Sequence, residues 1–238
     1  MLEAFGLSDP GCVRLNNEDY FISDPKAGVF ILADGMGGAN AGEFAAKLSA
    51  EKLYELLLRV PAHNGLDGLE DAFLEANEFV RQTARTNPDL EGMGTTLLVA
   101  RSAGDGRLQV ASVGDSRAYL SSRDGFSLIT QDQTWVAEVG SRLGLSDEAL
   151  RKHPMRHVLT MAVGTVEELR VHSHVVQLAA GDQVLLCSDG LHGVLDEKTL
   201  EATLNSKKSL PEKCHYLVEA AKDHGGPDNV TALLIQLV

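Results

Sequence analysis

The most constraining feature of the sequence is a block of three short apolar runs: TTLLVAR (95–101), RLQVASVG (107–114) and RAYLSSR (117–123). Only Ala103-Gly104-Asp105-Gly106 and Gly114-Asp115-Ser116 separate them. Gaps this short leave no room for a crossover helix, so three strands here form an antiparallel meander. Further strand-like runs are GVFILA (28–33), VHSHVVQL (171–178), QVLLCS (183–188) and the closing VTALLIQLV. Apolar residues at helical spacing fill AGEFAAKLSAEKLYELLLRV, and again 66–86, where Leu69, Phe73, Ala76 and Val80 share one side and Pro88 sets the end. Two shorter helices fit 196–205 and 210–223. From Thr130 to Gly164 the pattern weakens. Trp135, Val136, Val139 and Leu143 share a helical face there, but Pro154 and several glycines interrupt it, which predicts a partly irregular excursion. Runs of strands and runs of helices, rather than strict alternation, predict an α+β layered domain with antiparallel sheets.

A chain of 238 residues is long enough for one sizeable core, and a single domain over 1–238 is expected. The N-terminus MLEAFGLSDPG has neither a basic region nor a long apolar run, and no stretch approaches the roughly 20 apolar residues of a membrane span. A cytoplasmic location without membrane contact is therefore expected. Cys12, Cys187 and Cys214 are odd in number and lack metal-type spacing, which suits reduced thiols. The net charge of −13, from 34 acids against 21 bases, argues against a nucleic-acid partner, because binding a phosphate backbone needs lysine and arginine.

Where the acids sit matters more than their number. Asp34 follows FILA and Asp189 follows VLLCS, so two Asp-Gly pairs stand where apolar runs end. Singly, each reads as a turn. Glu18-Asp19 in NNEDYF, Asp115 in VGDSR and Asp228-Asn229 in GGPDNVT also lie at borders between strand and loop. Carboxylates converging from these positions would repel one another unless protonated or bridged by divalent cations. Oxygen-only donors favour magnesium or manganese over zinc, and no twelve-residue calcium loop is present. A carboxylate bridging two such cations would generate hydroxide near neutral pH and polarise a phosphoryl oxygen, giving a hydrolytic site without a side-chain nucleophile.

Six blocks carry a family resemblance, in order: GCVRLNNED (11–19), ADGMGG (33–38), GMGTT (92–96), VGDSR (113–117), CSDGL (187–191) and GPDNVT (226–231). Together they resemble the PP2C family of metal-dependent protein serine/threonine phosphatases, in its compact bacterial form. The resemblance implies a four-layer α/β/β/α sandwich, two antiparallel sheets flanked by helix pairs, with a flap subdomain at about 130–164. It implies two Mn2+ or Mg2+ ions per chain: Asp34 bridging both, the carbonyl of Gly35 helping to bind one, and Asp189 and Asp228 binding the other. Glu18 and Asp19 would hold metal-bound waters, and Asp115 with Asp189 would mark a possible third cation. Arg14 would clamp the substrate phosphate, its planar guanidinium pairing two oxygens at once, while the bridging water attacks phosphorus in line. The implied partners are phosphorylated proteins, among them a Ser/Thr kinase and its targets, handled by a monomer.

Two positions depart from the family pattern. Met36 replaces a histidine that animal members carry for protonating the leaving oxygen, so a metal-bound water near Asp115 is the expected proton donor. Gln133 stands where many bacterial relatives have histidine before Thr-Trp. His153 and His157 have the spacing of helical zinc ligands, but no glutamate follows His153 and Pro154 disfavours a helix there. His172 and His174 read as a solvated or hydrogen-bonded pair on one strand face, and Ser116 and Ser188 as structural hydroxyls lacking a G-x-S-x-G context. The glycine loop 35–38 lacks the Lys-Ser/Thr ending of a nucleotide P-loop. Two rival functions are a catalytically silent PP2C-like regulator that binds phosphoproteins, which loss of a core ligand would favour, and a manganese-dependent hydrolase of small phosphoesters.

Overall fold

A computed structural model describes residues 1–37, 41–59, 65–140, 142, 144, 149–150 and 153–238. Leu143 of the expected helical face and Gly38 of the expected glycine loop lie outside these residues. The elements in order are β1 (Leu2–Asp9), β2 (Asp19–Asp24), β3 (Val29–Met36), α1 (Ala41–Arg59), α2 (Asp67–Thr86), β4 (Gly94–Thr95) and β5 (Leu97–Ser102). There follow β6 (Arg107–Val113), β7 (Arg117–Ser122), β8 (Gly125–Leu128), β9 (His172–Gln177) and β10 (Gln183–Cys187). Three helices, α3 (Asp189–His192), α4 (Glu197–Leu204) and α5 (Leu210–Asp223), lead into β11 (Val230–Leu237). One antiparallel sheet has the order β1-β11-β10-β7-β8 and the other β2-β3-β5-β6-β9, with β4 paired to β3.

The central strands are apolar on both faces, because each face meets a different layer. In β3, Val29, Ile31 and Ala33 pack with Leu53, Leu57 and Phe73 of α1 and α2, while Phe30 and Leu32 enter the seam between the sheets. In β11, Val230, Ala232 and Leu234 pack against Leu200, Cys214 and Leu217 of α4 and α5, while Leu233 and Ile235 enter that same seam. Period-two alternation therefore assigns every second residue to one of three cores, and the result is the expected α/β/β/α sandwich. Removing a ring from the seam, as in Phe30→Ala, costs about 3–5 kcal/mol. The helix α5 starts at a capping box, Ser209 with Glu212, which satisfies the main-chain donors at its exposed end.

Three strands escape the sequence pattern. β1, β2 and β8 carry weak alternation and owe their form to partners: β1 pairs along its whole length with β11, from Leu2 opposite Leu237 to Asp9 opposite Val230. The expected strand 95–101 is split, since Thr95 pairs with Gly35 and Leu97 begins a new ladder against Val113. Among its described residues the excursion after Thr130 is largely irregular, as expected, with a π-type turn at Val136–Gly140. No helix among the described residues is long and apolar enough to cross a membrane.

Candidate active site and metal centre

Strand register brings the acids to one end of the sandwich. Asp19 opens β2 directly opposite Asp34 in β3. Cys187, the last residue of β10, lies between Arg117 of β7 and Ala232 of β11, so Asp189, Asp115 and Asp228 emerge at the same edge. Asp34 is not in a loop, as its Asp-Gly context suggested: β3 runs on to Met36 because Gly94 and Thr95 pair with its last two residues. The Asp34 N–H donates to Thr96 Oγ1 (2.9 Å), and that hydroxyl meets Ser116 Oγ at 2.8 Å. Asp189 likewise opens a short helix, α3, rather than a loop.

A cleft of 930 Å³ is lined by Arg14, Glu18, Asp34, Gly35, Asp115, Asp189 and Asp228, with Met36, Arg156 and His157 on its walls. Seven of the eight residues singled out from the sequence thus share one cavity. Asp19 is the exception. It lies buried below the floor, where its Oδ2 accepts from Ser188 Oγ (2.7 Å) and Thr231 Oγ1 (2.6 Å) while its Oδ1 has no hydrogen-bond partner among the described residues. Ser188 and Ser116 are therefore structural hydroxyls, as expected. Gly35 and Gly190 are glycines because backbone passes close by: a Cβ would meet the Gly42 carbonyl oxygen at 2.1 Å and that of Asn229 at 1.9 Å.

Electrostatically the floor is strained. Burial holds the Asp34 carboxyl well above the ordinary carboxylate range, and Asp19, Asp189, Asp115 and Asp228 push it further. Asp115 is pushed up to about 8, first by burial and then by Asp189. Burial raises Asp19 to about 7 against the pull of the two hydroxyls, and it raises Asp189 and Glu18 too. Neighbouring carboxyls that resist ionisation this strongly are suited to divalent cations. The unpaired Asp19 oxygen and a floor of oxygen donors fit the same group. No three carboxylates, histidines or cysteines among the described residues close tightly enough to enclose an ion by themselves. A cation here would draw on backbone carbonyls and water as well, which is the habit of magnesium.

Arg14 reaches from the loop before β2 and pairs with Asp228 (Nη2 to Oδ2, 2.8 Å), remaining half exposed at the mouth. His157 Nδ1 stands 3.7 Å from Asp189 Oδ2, whereas His153 stacks on Trp135 (ring centroids 4.6 Å apart), so these two histidines form no common site. Sequence reasoning missed Asn229 as an organiser. Its Oδ1 accepts from the Glu18 N–H (2.8 Å) and its Nδ2 donates to the carbonyls of Asn16 (2.8 Å) and Pro10 (3.1 Å), fixing the Arg14 loop beside Asp228. Its place within the GPDNVT block was the available signal. Arg156 and His157 had none, since their approach depends on how the excursion folds back.

A four-layer sandwich with an acidic, oxygen-lined cleft at one end of its sheets is the layout of a metal-dependent phosphatase. The chain belongs to the protein phosphatase 2C family, whose model matches residues 13–234. It is 35% identical over 236 residues to the serine/threonine phosphatase stp of Listeria innocua, covering 96% of this chain and 93% of that protein. It is 38% identical over 232 residues to the serine/threonine protein phosphatase PstP of Mycobacterium tuberculosis, covering 97% of this chain and 44% of that longer protein. The solved catalytic domain of a PstP in complex with two manganese ions superposes with a TM-score of 0.88 at 35% identity, covering 100% of this chain and 98% of that one.

Proposed function

We propose that this chain hydrolyses phosphoserine and phosphothreonine esters in proteins, using divalent cations held by Asp34, Asp189 and Asp228 with the Gly35 carbonyl. The observation that carries the reading is the convergence of Asp34, Asp115, Asp189 and Asp228 on one cleft with Arg14 at its mouth. When bound, the cations supply water activation and neutralise phosphoryl charge. The protein's own part is positioning. Arg14 exchanges Asp228 for the substrate phosphate and holds two of its oxygens, Glu18 orients water in the cleft, buried Asp19 acts on the floor through Asp34, and Thr96 fixes the backbone of Asp34. Manganese is favoured by its presence in the PstP relative, and Asp115 with Asp189 is the candidate third position. Met36 lines the cleft and has no proton to give, so the leaving oxygen takes its proton from water. The substrates are phosphoproteins, including a Ser/Thr kinase and its targets, met by a monomeric cytoplasmic enzyme in which 1–238 acts as one catalytic unit and 130–164 as its flap. No core acid is missing, so the silent-regulator reading has no support in the residues.

The test is phosphate release from a phosphothreonine peptide with and without manganese. Wild type should turn over only with the metal, Asp34→Ala should not turn over, and Arg14→Ala should lose about a hundredfold in kcat/KM by giving up a charged contact to the transition state. Release without manganese, or full activity in Asp34→Ala, would refute the assignment.

A further inference from the structure

Gln133 is wholly buried, yet every polar atom it carries is engaged. Its main-chain N–H donates to the Gly114 carbonyl (3.0 Å) and its own carbonyl accepts from the Thr160 N–H (2.9 Å). Its side-chain Oε1 accepts from the Gly114 N–H (2.8 Å) and its Nε2 donates to the Arg170 carbonyl (2.9 Å). One amide therefore joins three segments distant in sequence.

Each segment bears on the cleft. Gly114 precedes Asp115 on the floor, in a turn without slack: its φ is +98°, and a Cβ there would meet Thr96 Cγ2 at 2.7 Å. Gln133 and Thr160 lie near the two ends of the excursion. Its neck is closed just above them by the pairing of Thr134 with Leu159 and by the Trp135 N–H to the Val158 carbonyl (2.8 Å). The returning limb of this excursion brings Arg156, His157 and Leu159 to the cleft wall. Arg170, whose carbonyl Gln133 holds, sends its guanidinium to Glu138 (2.7 Å) at the start of the same excursion. Floor and wall thus meet at one buried residue, whose side-chain amide ties the Gly114 turn to the segment of Arg170 and whose main chain holds Thr160.

We propose that Gln133 is a positioning residue that sets the Arg156–Leu159 wall against the Asp115 turn, and so governs how a protein substrate, rather than a bare phosphoester, seats in the cleft. This rests on the phosphatase reading of the cleft. The phosphate itself meets the floor and Arg14, while a protein substrate adds a body around its phosphate that must seat against the Arg156, His157 and Leu159 wall. The amide uses its acceptor and one of its two N–H donors here, and a neutral imidazole offers one of each. Histidine at this position therefore performs the same bridging in a different chemical form.

The experiment compares wild type, Gln133→Met and Gln133→His in saturating manganese at pH 8, on a phosphothreonine peptide and on p-nitrophenyl phosphate. Hydrogen exchange is followed in parallel on metal-free protein. Gln133→Met should raise KM for the peptide about tenfold more than for p-nitrophenyl phosphate, the usual scale for losing a supporting contact. Exchange at 114–116 and at 153–160 should quicken together, and Gln133→His should restore both readouts. Equal losses on the two substrates, or faster exchange in only one of the segments, would overturn the proposal. Should Gln133→Met not fold, Gln133→Glu keeps the acceptor and loses the donor, and the same comparisons decide. If wild type releases phosphate from neither substrate, the phosphatase reading falls, and the joint exchange result still decides whether Gln133 couples the segments.

Discussion

Replacing Asp115 by asparagine should stabilise the metal-free protein, and the size of the effect should depend on pH in a defined way. The Asp115 carboxyl is pushed from an ordinary 3.8 up to about 8 by burial, Asp189 and Asp132, with Arg117 pulling the other way. A folded-state pKa raised above the unfolded value means that the fold binds a proton the unfolded chain has already released. The carboxyl thus costs nothing below the unfolded pKa, costs progressively more as pH rises, and costs its full amount above the folded pKa. At about 1.4 kcal/mol per unit, a difference of about four units sets a ceiling near 5 kcal/mol. The amide gives up the attraction to Arg117 and the carboxylate's bond to its own backbone, so a net gain of about 2–3 kcal/mol is expected at pH 8. For a domain of this size that is about 5–10 °C in Tm. Thermal unfolding of both proteins in chelator, from pH 4 to 8, should show coincident curves at the acid end and a widening gap towards the alkaline end. Saturating manganese should narrow the gap, because bound cations balance the same charges. A variant no more stable than wild type at pH 8, or a gap flat across the range, would refute the electrostatic account of the floor.

Other consequences are as direct. Asn229→Leu removes three hydrogen bonds from a buried position and strands the Glu18 N–H and two carbonyls, so unfolding measurements should show a loss of about 2–4 kcal/mol. Manganese affinity by calorimetry should weaken with it, since the Arg14 loop is no longer held beside Asp228. Burial pushes the thiols of Cys187 and Cys214 up to about 12, while Cys12 is exposed. Iodoacetamide at pH 8 should therefore add one adduct to the folded protein, at Cys12, and mass spectrometry should find all three cysteines modified only after denaturation.

Where the sequence misled, the cause was pairing across long distances. Gly6 interrupts the pattern of β1, and it is glycine because a Cβ would come within 2.5 Å of the Phe21 ring in β2. That contact is absent from any local window, so the strand is invisible until β11 is placed beside it. The same holds at Asp34. Asp-Gly is a turn signal locally, but about 60 residues later Gly94-Thr95 arrives to extend the ladder, and Thr96 takes the Asp34 N–H. The central strands were legible for the opposite reason: apolar on both faces, they need no partner's identity to be recognised as buried. The acids were legible only jointly, because each stands at the end of such a run, and ends of neighbouring antiparallel strands share an edge.

Glu18 and Asp19 show what adjacency in sequence hides. Both are acids before an apolar run, and the sequence assigns them one role. Successive residues entering a strand point to opposite sides, however: Asp19, directly opposite Asp34, shares its face towards the second sheet, while Glu18 takes the other face and reaches the cleft beside Gly42. Glu18 lines the cleft, with its N–H held by Asn229. Asp19 turns inward between Ser188 and Thr231, which follow β10 and lie in β11, and keeps one oxygen free below Asp34. Asp19 thereby joins the two sheets at the point where the floor acids lie, so its charge is felt by Asp34 without its carboxyl being reachable from solvent. Its removal should act on the cations through Asp34, whereas removal of Glu18 should act on them through the water in the cleft.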